Sequence, residues 1–193
     1  MGKMDIKARV ERIAKNNARL LGECKSSDDL EYSRTSILIR DQQDYARIKD
    51  ELSKSYKIVE LDASEITFVK KVALSDEEHL SVNNGPGTKK SVMTEKDFIY
   101  GWNIEKPVAY YSSGNYDCRV NPYLRSIFEA ENTLIVLTNL DKIENPANRT
   151  VFIHFLISDR DLPALPFIVV LDDVDGSTFR KILDASKDSF MII

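Results

Sequence analysis

Residues 85–91 contain the residue types of a phosphate-binding loop, in the order Gly-Pro-Gly-Thr-Lys-Lys-Ser. A Walker-type loop uses glycines to let backbone N–H groups wrap phosphate oxygens, a lysine for charge and a Ser or Thr for Mg²⁺. The candidate nucleotide ligands are therefore Gly85, Gly87, Lys90 and Ser91. Such a loop lies between a strand and a helix N-terminus, whereas the acidic residues before this one, 76–79, predict no strand. An exposed basic turn is the preferred interpretation.

Two acidic residues, Asp172 and Asp173, follow the apolar run at residues 167–171. In a phosphotransfer site one such carboxylate would position Mg²⁺ or its water, so both are candidate magnesium residues. Without a phosphate loop, however, they have no ligand with which to share the metal. Strand-end and helix-cap chemistry, with Asp175 as the N-cap, is the preferred interpretation.

The sequence shows no pattern of metal ligands or of an activated nucleophile. Cys24 and Cys118 lie far apart and have neither metal-binding nor redox spacing, so a reducing, cytoplasmic setting is expected. The histidines, His79 and His154, form no nucleophile pattern with a Cys or Ser. We therefore expect no metal site, no cofactor and no catalytic residue.

The segment that follows the first apolar run is a poor cradle for a nucleotide. Residues 40–44 have the sequence Arg-Asp-Gln-Gln-Asp, without glycine or lysine. Asp41 and Asp44 are expected at the start of a helix, where they stabilise the helix dipole and repel an incoming phosphate.

Apolar runs predict the elements that would position these residues. The runs in the second half of the chain are unbroken and rich in β-branched residues, which is typical of parallel strands covered on both faces. Segments with helical spacing separate them. We predict a three-layer α/β domain over residues 34–193, with a mainly parallel sheet of about five strands and sites at their carboxyl ends. The predicted strands are residues 36–39, 56–61, 133–137, 167–171 and 190–193.

Residues 1–33 are predicted to form an appended amphipathic helix, over residues 4–21 with a stop at Gly22, and a polar linker. The polar face of this helix carries Arg12, Lys15 and Arg19, which could contact nucleic acid. A solvated helix face is the preferred interpretation, and the net charge of −4 argues against bulk nucleic-acid binding.

The middle of the chain is less regular. Residues 64–74 fit neither the helix nor the strand pattern, 83–91 and 112–121 are predicted loops, and 108–111 is a predicted strand. A helix is predicted over residues 94–104, capped by Thr94, and others over 175–185 and after the Asn-Pro pairs at Pro122 and Pro146. Trp102 lies in an aromatic-rich segment, where core packing is the default interpretation and a protein-partner contact the alternative. No apolar stretch approaches ~20 residues, so no membrane span is expected.

Three segments resemble the nucleotide-binding core of AAA+ ATPases. Residues 57–66 resemble the second strand and its following turn, and residues 124–143 resemble the helix that leads into the Walker B strand. Residues 167–173 are similar to the sensor-1 strand. The resemblance implies the architecture of that family and argues against its activity. The Walker B acids would fall at Thr138 and Asn139, residues 41–44 replace the Walker A loop, and no residues remain for the C-terminal helical lid.

These observations lead to three hypotheses about function. The preferred one is a non-catalytic, AAA+-like interaction or regulatory protein that docks on a protein partner, such as an active ATPase assembly. The first alternative is an NTP-binding enzyme or switch that uses the Gly85–Ser91 loop with Asp172 and Asp173. The second is a nucleic-acid-associated factor that uses the basic N-terminal helix.

Overall fold

The computed structural model describes residues 5–27, 30–74, 77–82, 92–94, 106–112, 118–172 and 189–193. The helices of the described residues are α1 (Ile6–Ser26), α2 (Gln42–Leu52), α3 (Pro122–Phe128) and α4 (Pro146–Ser158). The strands are β1 (Ser36–Ile39), β2 (Lys57–Asp62), β3 (Thr67–Leu74), β4 (Glu77–Val82), β5 (Val92–Thr94), β6 (Val108–Ser112), β7 (Cys118–Val120), β8 (Thr133–Thr138), β9 (Ile168–Val170) and β10 (Phe190–Ile192). Short 3-10 turns follow β2, at Ala63–Glu65, and β8, at Leu140–Lys142.

Sheet A is a five-stranded parallel sheet with the order β10-β1-β9-β8-β2. Its central register places Ile37 opposite Ile168, and Ile168 in turn opposite Val136. Each of its strand pairs is parallel. The prediction of a mainly parallel sheet of five strands is therefore confirmed.

Helices cover both faces of sheet A, because successive side chains of a strand point to opposite sides. Ile37 and Ile39 pack with the buried stripes of α1 and α2, whereas Leu38 packs with α3 and α4. The result is a three-layer α/β arrangement, as predicted. Helix α1 takes part in it directly, because Ile6, Val10 and Ile13 are all buried against the sheet.

The predicted helix starts are confirmed at two prolines, whereas one predicted stop is wrong. Asn121 and Asn145 cap α3 and α4, each with proline at the first helical position. Helix α1, however, continues through Gly22 to Ser26. Glycine costs about 1 kcal/mol in a helix interior, and burial of Cys24 one half-turn later offsets this cost.

A second sheet, sheet B, was not predicted. Its strand order is β5-β4-β3-β6-β7, with β3 parallel to β6 and the other pairs antiparallel. The prediction of a loop at residues 112–121 is wrong where β7 lies, and β4 stands before residues 83–91, where no strand was predicted. Thr94, the predicted cap of the next helix, is the last residue of β5. Residues 95–104 and 175–185, where helices were predicted, lie outside the described residues.

An aromatic cluster joins sheet B to the helical layer of α3 and α4. The ring of Phe152, on α4, lies 5.9 Å from that of Phe68 on β3, 6.4 Å from that of Phe128 on α3 and 6.1 Å from that of Phe155. Phe152 is fully buried. Phe152 therefore links β3 of sheet B to both α3 and α4.

A loop over residues 159–166 links α4 to β9 and fixes the position of α1. Asn17 of α1 donates through Nδ2 to the carbonyl oxygens of Thr35, at 2.9 Å, and Ala164, at 3.0 Å. Arg160 of the loop donates to the carbonyl oxygens of Cys24, at 3.4 Å, and Leu30, at 2.6 Å. Among the described residues, no helix is both long enough and apolar enough to cross a membrane.

Candidate functional site

The carboxyl ends of the parallel strands form one edge of sheet A, here called the carboxyl edge. Asp41 follows β1, Asp62 ends β2, Asn139 follows β8 and Asp172 follows β9. Ligand sites of open α/β sheets lie at this edge, beside the strand at which the order of connections reverses. In sheet A that strand is β1, because the chain leaves it toward β2 on one side and returns to β10 on the other.

A carboxylate side chain of the protein itself, that of Asp41, caps the helix that follows β1. Asp41 is the N-cap of α2, and its Oδ1 accepts a hydrogen bond of 2.8 Å from the backbone N–H of Asp44. The Asp44 carboxylate in turn lies 3.0 Å from Arg47 Nη1. A carboxylate therefore takes one of the donors at the helix N-terminus that a phosphate would need.

The ends of β2 and β8 are joined by a hydrogen-bond network around Asp62. Asn139 Nδ2 donates to Asp62 Oδ2 at 2.7 Å, while the backbone N–H and the hydroxyl of Ser64 donate to Oδ1 at 2.9 and 2.6 Å. Asn139 has a φ of 56°, a left-handed conformation that asparagine tolerates better than most residues. Sequence reasoning missed this network, which brings together residues 77 positions apart.

The network changes the acidity of Asp62. Desolvation, the largest single influence, raises the pKa of the Asp62 carboxyl, but hydrogen bonds from Ser64 and Asn139 and the nearby charge of Lys142 together lower it below its ordinary value. Because the pKa is lower in the folded state, the ionised carboxylate stabilises the fold at neutral pH. This contribution is lost as the pH falls from about 4, the unfolded value, through the lower folded value.

We expect Asp62→Asn to weaken the dependence of the free energy of unfolding on pH in the acidic range. Wild type should lose more unfolding free energy than the variant between about pH 6 and pH 2, as measured by denaturant titration at each pH. Asp50→Asn, at an exposed position on α2, is the matched control and should keep the wild-type profile. An unchanged profile in Asp62→Asn would show that the network adds no stability.

A cavity of about 370 Å³, here called the edge pocket, lies beside the ends of β2 and β8. Ile66, Phe68 and Ile143, all less than 7% exposed, give it an apolar floor. Asn148 is 4% exposed, and its Oδ1 accepts a hydrogen bond of 2.8 Å from the Tyr111 hydroxyl. The other lining residues are polar or charged: Ser64, Glu65, Thr67, Lys142, Glu144 and Asn145.

The chemistry of the edge pocket suits a side chain of a partner more than a phosphate. Its size lies within the range of small-ligand sites, but exposed glutamates, Glu65 and Glu144, stand at its rim. Lys142 lies 3.1 Å from Asp172 and is therefore already paired. The pocket also lies beside β2 and β8, away from the reversal point at β1.

Asp172, a predicted magnesium residue, is thus an ion-pair partner of Lys142 across the carboxyl edge. Within the described ranges, no three His, Cys, Asp or Glu side chains converge on a point that could hold a metal ion. Asp173, the second predicted magnesium residue, lies outside the described residues.

The predicted phosphate-loop residues Gly85, Gly87, Lys90 and Ser91 also lie outside the described residues. The elements on either side of them are informative. Strand β4 precedes the segment, so the prediction that no strand stands there is wrong. The next described element is β5, which pairs with β4 in antiparallel fashion, Ser81 opposite Val92. A Walker loop leads from a strand into a helix instead.

The basic residues of the N-terminal helix, Arg12, Lys15 and Arg19, are all exposed. Arg19 Nη1 lies 2.5 Å from Glu23 Oε1, and Lys7 lies 3.7 Å from Glu11. This surface therefore carries charges of both signs, and nucleic-acid binding through it stays a prediction. Trp102, the predicted partner contact, lies outside the described residues.

Comparisons of the chain with protein-family models, with curated proteins and with solved structures find no match.

Proposed function

We propose that this chain is a non-catalytic, AAA+-like interaction protein of the cytoplasm, which docks on a protein partner and regulates it. The observation that carries the proposal is the cap of α2. Asp41 Oδ1 lies 2.8 Å from the Asp44 N–H, directly after the strand at which a nucleotide-binding fold would hold phosphate. The negative charge there opposes an incoming phosphate and stabilises the helix by itself.

The strand order of sheet A excludes two other doubly wound folds. Numbered along the chain, the strands of sheet A lie in the order 5-1-4-3-2, which differs from the 3-2-1-4-5-6 and 2-1-3-4-5 orders of other doubly wound folds. The strand that resembles the sensor-1 strand, β9, lies between β1 and β8, the strand that resembles Walker B.

The Walker B position supports the absence of catalysis. Thr138 and Asn139 stand where the acids would be, and the Asn139 amide is held by Asp62 at 2.7 Å. A neutral amide or a threonine hydroxyl is not basic enough to take a proton from an attacking water, so Thr138 and Asn139 offer no general base.

The edge pocket is the docking surface that we propose for the partner. A pocket with an apolar floor and a charged rim is typical of the places where a partner's anchoring side chain is buried. The exposed carboxylates of Glu65 and Glu144 at its rim favour a basic anchor, an Arg or Lys whose charge stays at the rim while its stem packs on the floor.

Nucleotide titration tests the non-catalytic part of the proposal. The melting temperature of the purified protein should change by less than about 1 °C at millimolar Mg-ATP or Mg-ADP, because a ligand that does not bind cannot stabilise. Lys90→Ala should behave as wild type. Saturable stabilisation that Lys90→Ala loses, or ATP hydrolysis that Asp172→Asn abolishes, would favour the NTP-binding alternative.

Affinity purification from the native cells tests the docking part. A protein that co-purifies with the tagged wild-type chain should be lost with the Glu65→Lys/Glu144→Lys variant, because the reversed charges repel a basic anchor. Glu51→Lys, at an exposed position on α2, is the control and should retain it. The captured protein and this chain are then purified separately and mixed, and the affinity of each variant is measured. Equal affinity for both variants would place the partner elsewhere and contradict the proposed surface.

A further inference from the structure

Tyr32, Arg34 and Ser36 form a buried polar group at the start of β1, here called the Arg34 cluster. They occupy alternate positions in the segment that leads into the strand, and their exposures are 4%, 0% and 1%. The cluster lies at the amino end of β1, whereas the edge pocket and the Asp41 cap lie at the carboxyl edge. The proposed docking function makes no use of it.

The polar atoms of the cluster are largely unpaired. Arg34 donates from Nη2 to the carbonyl oxygen of Leu162 at 2.9 Å. Its Nε and Nη1, the hydroxyl of Tyr32 and the hydroxyl of Ser36 are buried and make no hydrogen bond. The guanidinium carbon lies 5.1 Å from the ring centre of Phe167 and 5.8 Å from that of Tyr32. Among the described residues, no carboxylate lies within ion-pair distance of Arg34.

A buried guanidinium in this state is costly to the fold. Arginine cannot lose its proton in a protein, so it cannot escape the penalty by becoming neutral. One carbonyl and two aromatic faces replace only part of the water that solvates the free cation. Buried charges in native proteins are paired, and a buried polar group without a partner is a place for an ordered water or an ion.

We propose that the Arg34 cluster binds a small oxyanion such as phosphate. The unpaired atoms of Arg34 are all donors, the Tyr32 and Ser36 hydroxyls can donate, and the only charge is positive. This set suits a ligand with several acceptor oxygens and a negative charge. A guanidinium fork matches the oxygen spacing of phosphate, sulfate or carboxylate better than it matches a spherical halide.

The loop over residues 159–166 controls access to the cluster. Its Leu162 carbonyl accepts from Arg34, and the N–H of Arg34 donates to the carbonyl of Ile157 at 2.7 Å, at the end of α4. Because Arg34 is fully buried, the oxyanion enters when this loop opens and is enclosed when it closes. Binding therefore stabilises the closed loop and, with it, the whole fold.

Thermal unfolding in matched buffers tests the inference. Wild-type protein, first dialysed against chloride, should melt about 5 °C higher in saturating inorganic phosphate than in chloride of equal ionic strength and pH. Arg34→Met keeps the apolar stem and removes the charge, so it should lose the phosphate-dependent shift. It should also melt no lower than wild type in chloride. Arg12→Met, at an exposed position on α1, is the control for general charge effects and should keep the full shift.

Further measurements keep the inference testable if Arg34→Met does not fold. Tyr32→Phe removes one hydroxyl only and should weaken phosphate binding several-fold in calorimetric titration. Sulfate, acetate and glycerol phosphate, tested in the same way, distinguish a free tetrahedral anion, a carboxylate and the phosphate of a larger molecule. A shift with any of them that depends on Arg34 supports an oxyanion site. Equal melting of the wild type in all of these buffers would overturn it.

Discussion

Phe152→Ala should lower the free energy of unfolding by about 3–5 kcal/mol. Phe152 is fully buried, and its ring lies within 6.4 Å of the rings of Phe68, Phe128 and Phe155. Its removal leaves a cavity among helices α3 and α4 and sheet B, which these rigid elements cannot close. Denaturant unfolding followed by circular dichroism measures the change.

Two further variants make the Phe152 result specific. Phe152→Leu keeps much of the volume and should cost only about 1–2 kcal/mol. Leu30→Ala, at a residue that is 47% exposed, should stay within about 0.5 kcal/mol of wild type. If Phe152→Ala costs no more than Leu30→Ala, sheet B does not pack on α4 in the way described.

Asn17→Ala should lower the free energy of unfolding by about 3 kcal/mol. Asn17 is fully buried on α1, donates to the Thr35 and Ala164 carbonyls and accepts from the Thr35 N–H at 2.9 Å. Truncation leaves three part-buried backbone groups without these partners, which costs more than the hydrogen bonds alone contribute. The same unfolding measurement applies, and α1 should lose its amide-exchange protection first.

The neighbouring residue supplies a matched control for Asn17. Asn16 is exposed, and its side chain accepts only from Arg19, at 3.2 Å. Asn16→Ala removes the same amide group from the same helix and should change stability by less than about 0.5 kcal/mol. Equal effects of the two substitutions would mean that helix propensity, and not the buried bonds, determines the result.

Sheet A could be predicted from the sequence because its strands are short unbroken apolar runs. Residues 133–138 and 168–170 are covered on both faces, so burial alone selects their residue types. The helix starts at Pro122 and Pro146 were also predictable, because an asparagine cap followed by proline has a local physical cause.

Sheet B and the carboxyl-edge network could not be predicted in the same way. Val69 pairs with Val82 on one side and with Tyr110 on the other, and Lys70 and Lys71 interrupt the apolar pattern of its strand. Asp62 meets Asn139 only after the parallel sheet has formed, since the contact spans 77 residues. Non-local pairing leaves no periodic trace in a single sequence.

The burial of Arg34 could not be predicted because its local sequence is typical of a solvated residue. A charged residue in a polar stretch is usually solvated, and nothing in its neighbours indicates full burial. The sequence shows which residues carry charge, but only the packing of Phe167 and Leu162 around the guanidinium shows which charge has lost its water.

The loop between α4 and β9 contacts both helix α1 and Arg34. Through Arg160 and Ala164 it holds the far end and the middle of α1, and through Leu162 it covers Arg34. A displacement of this one segment is therefore transmitted to both. The stability of α1 and the binding of an anion at Arg34 are therefore thermodynamically linked. A change that stabilises the helix in its place also favours anion binding, and the reverse holds.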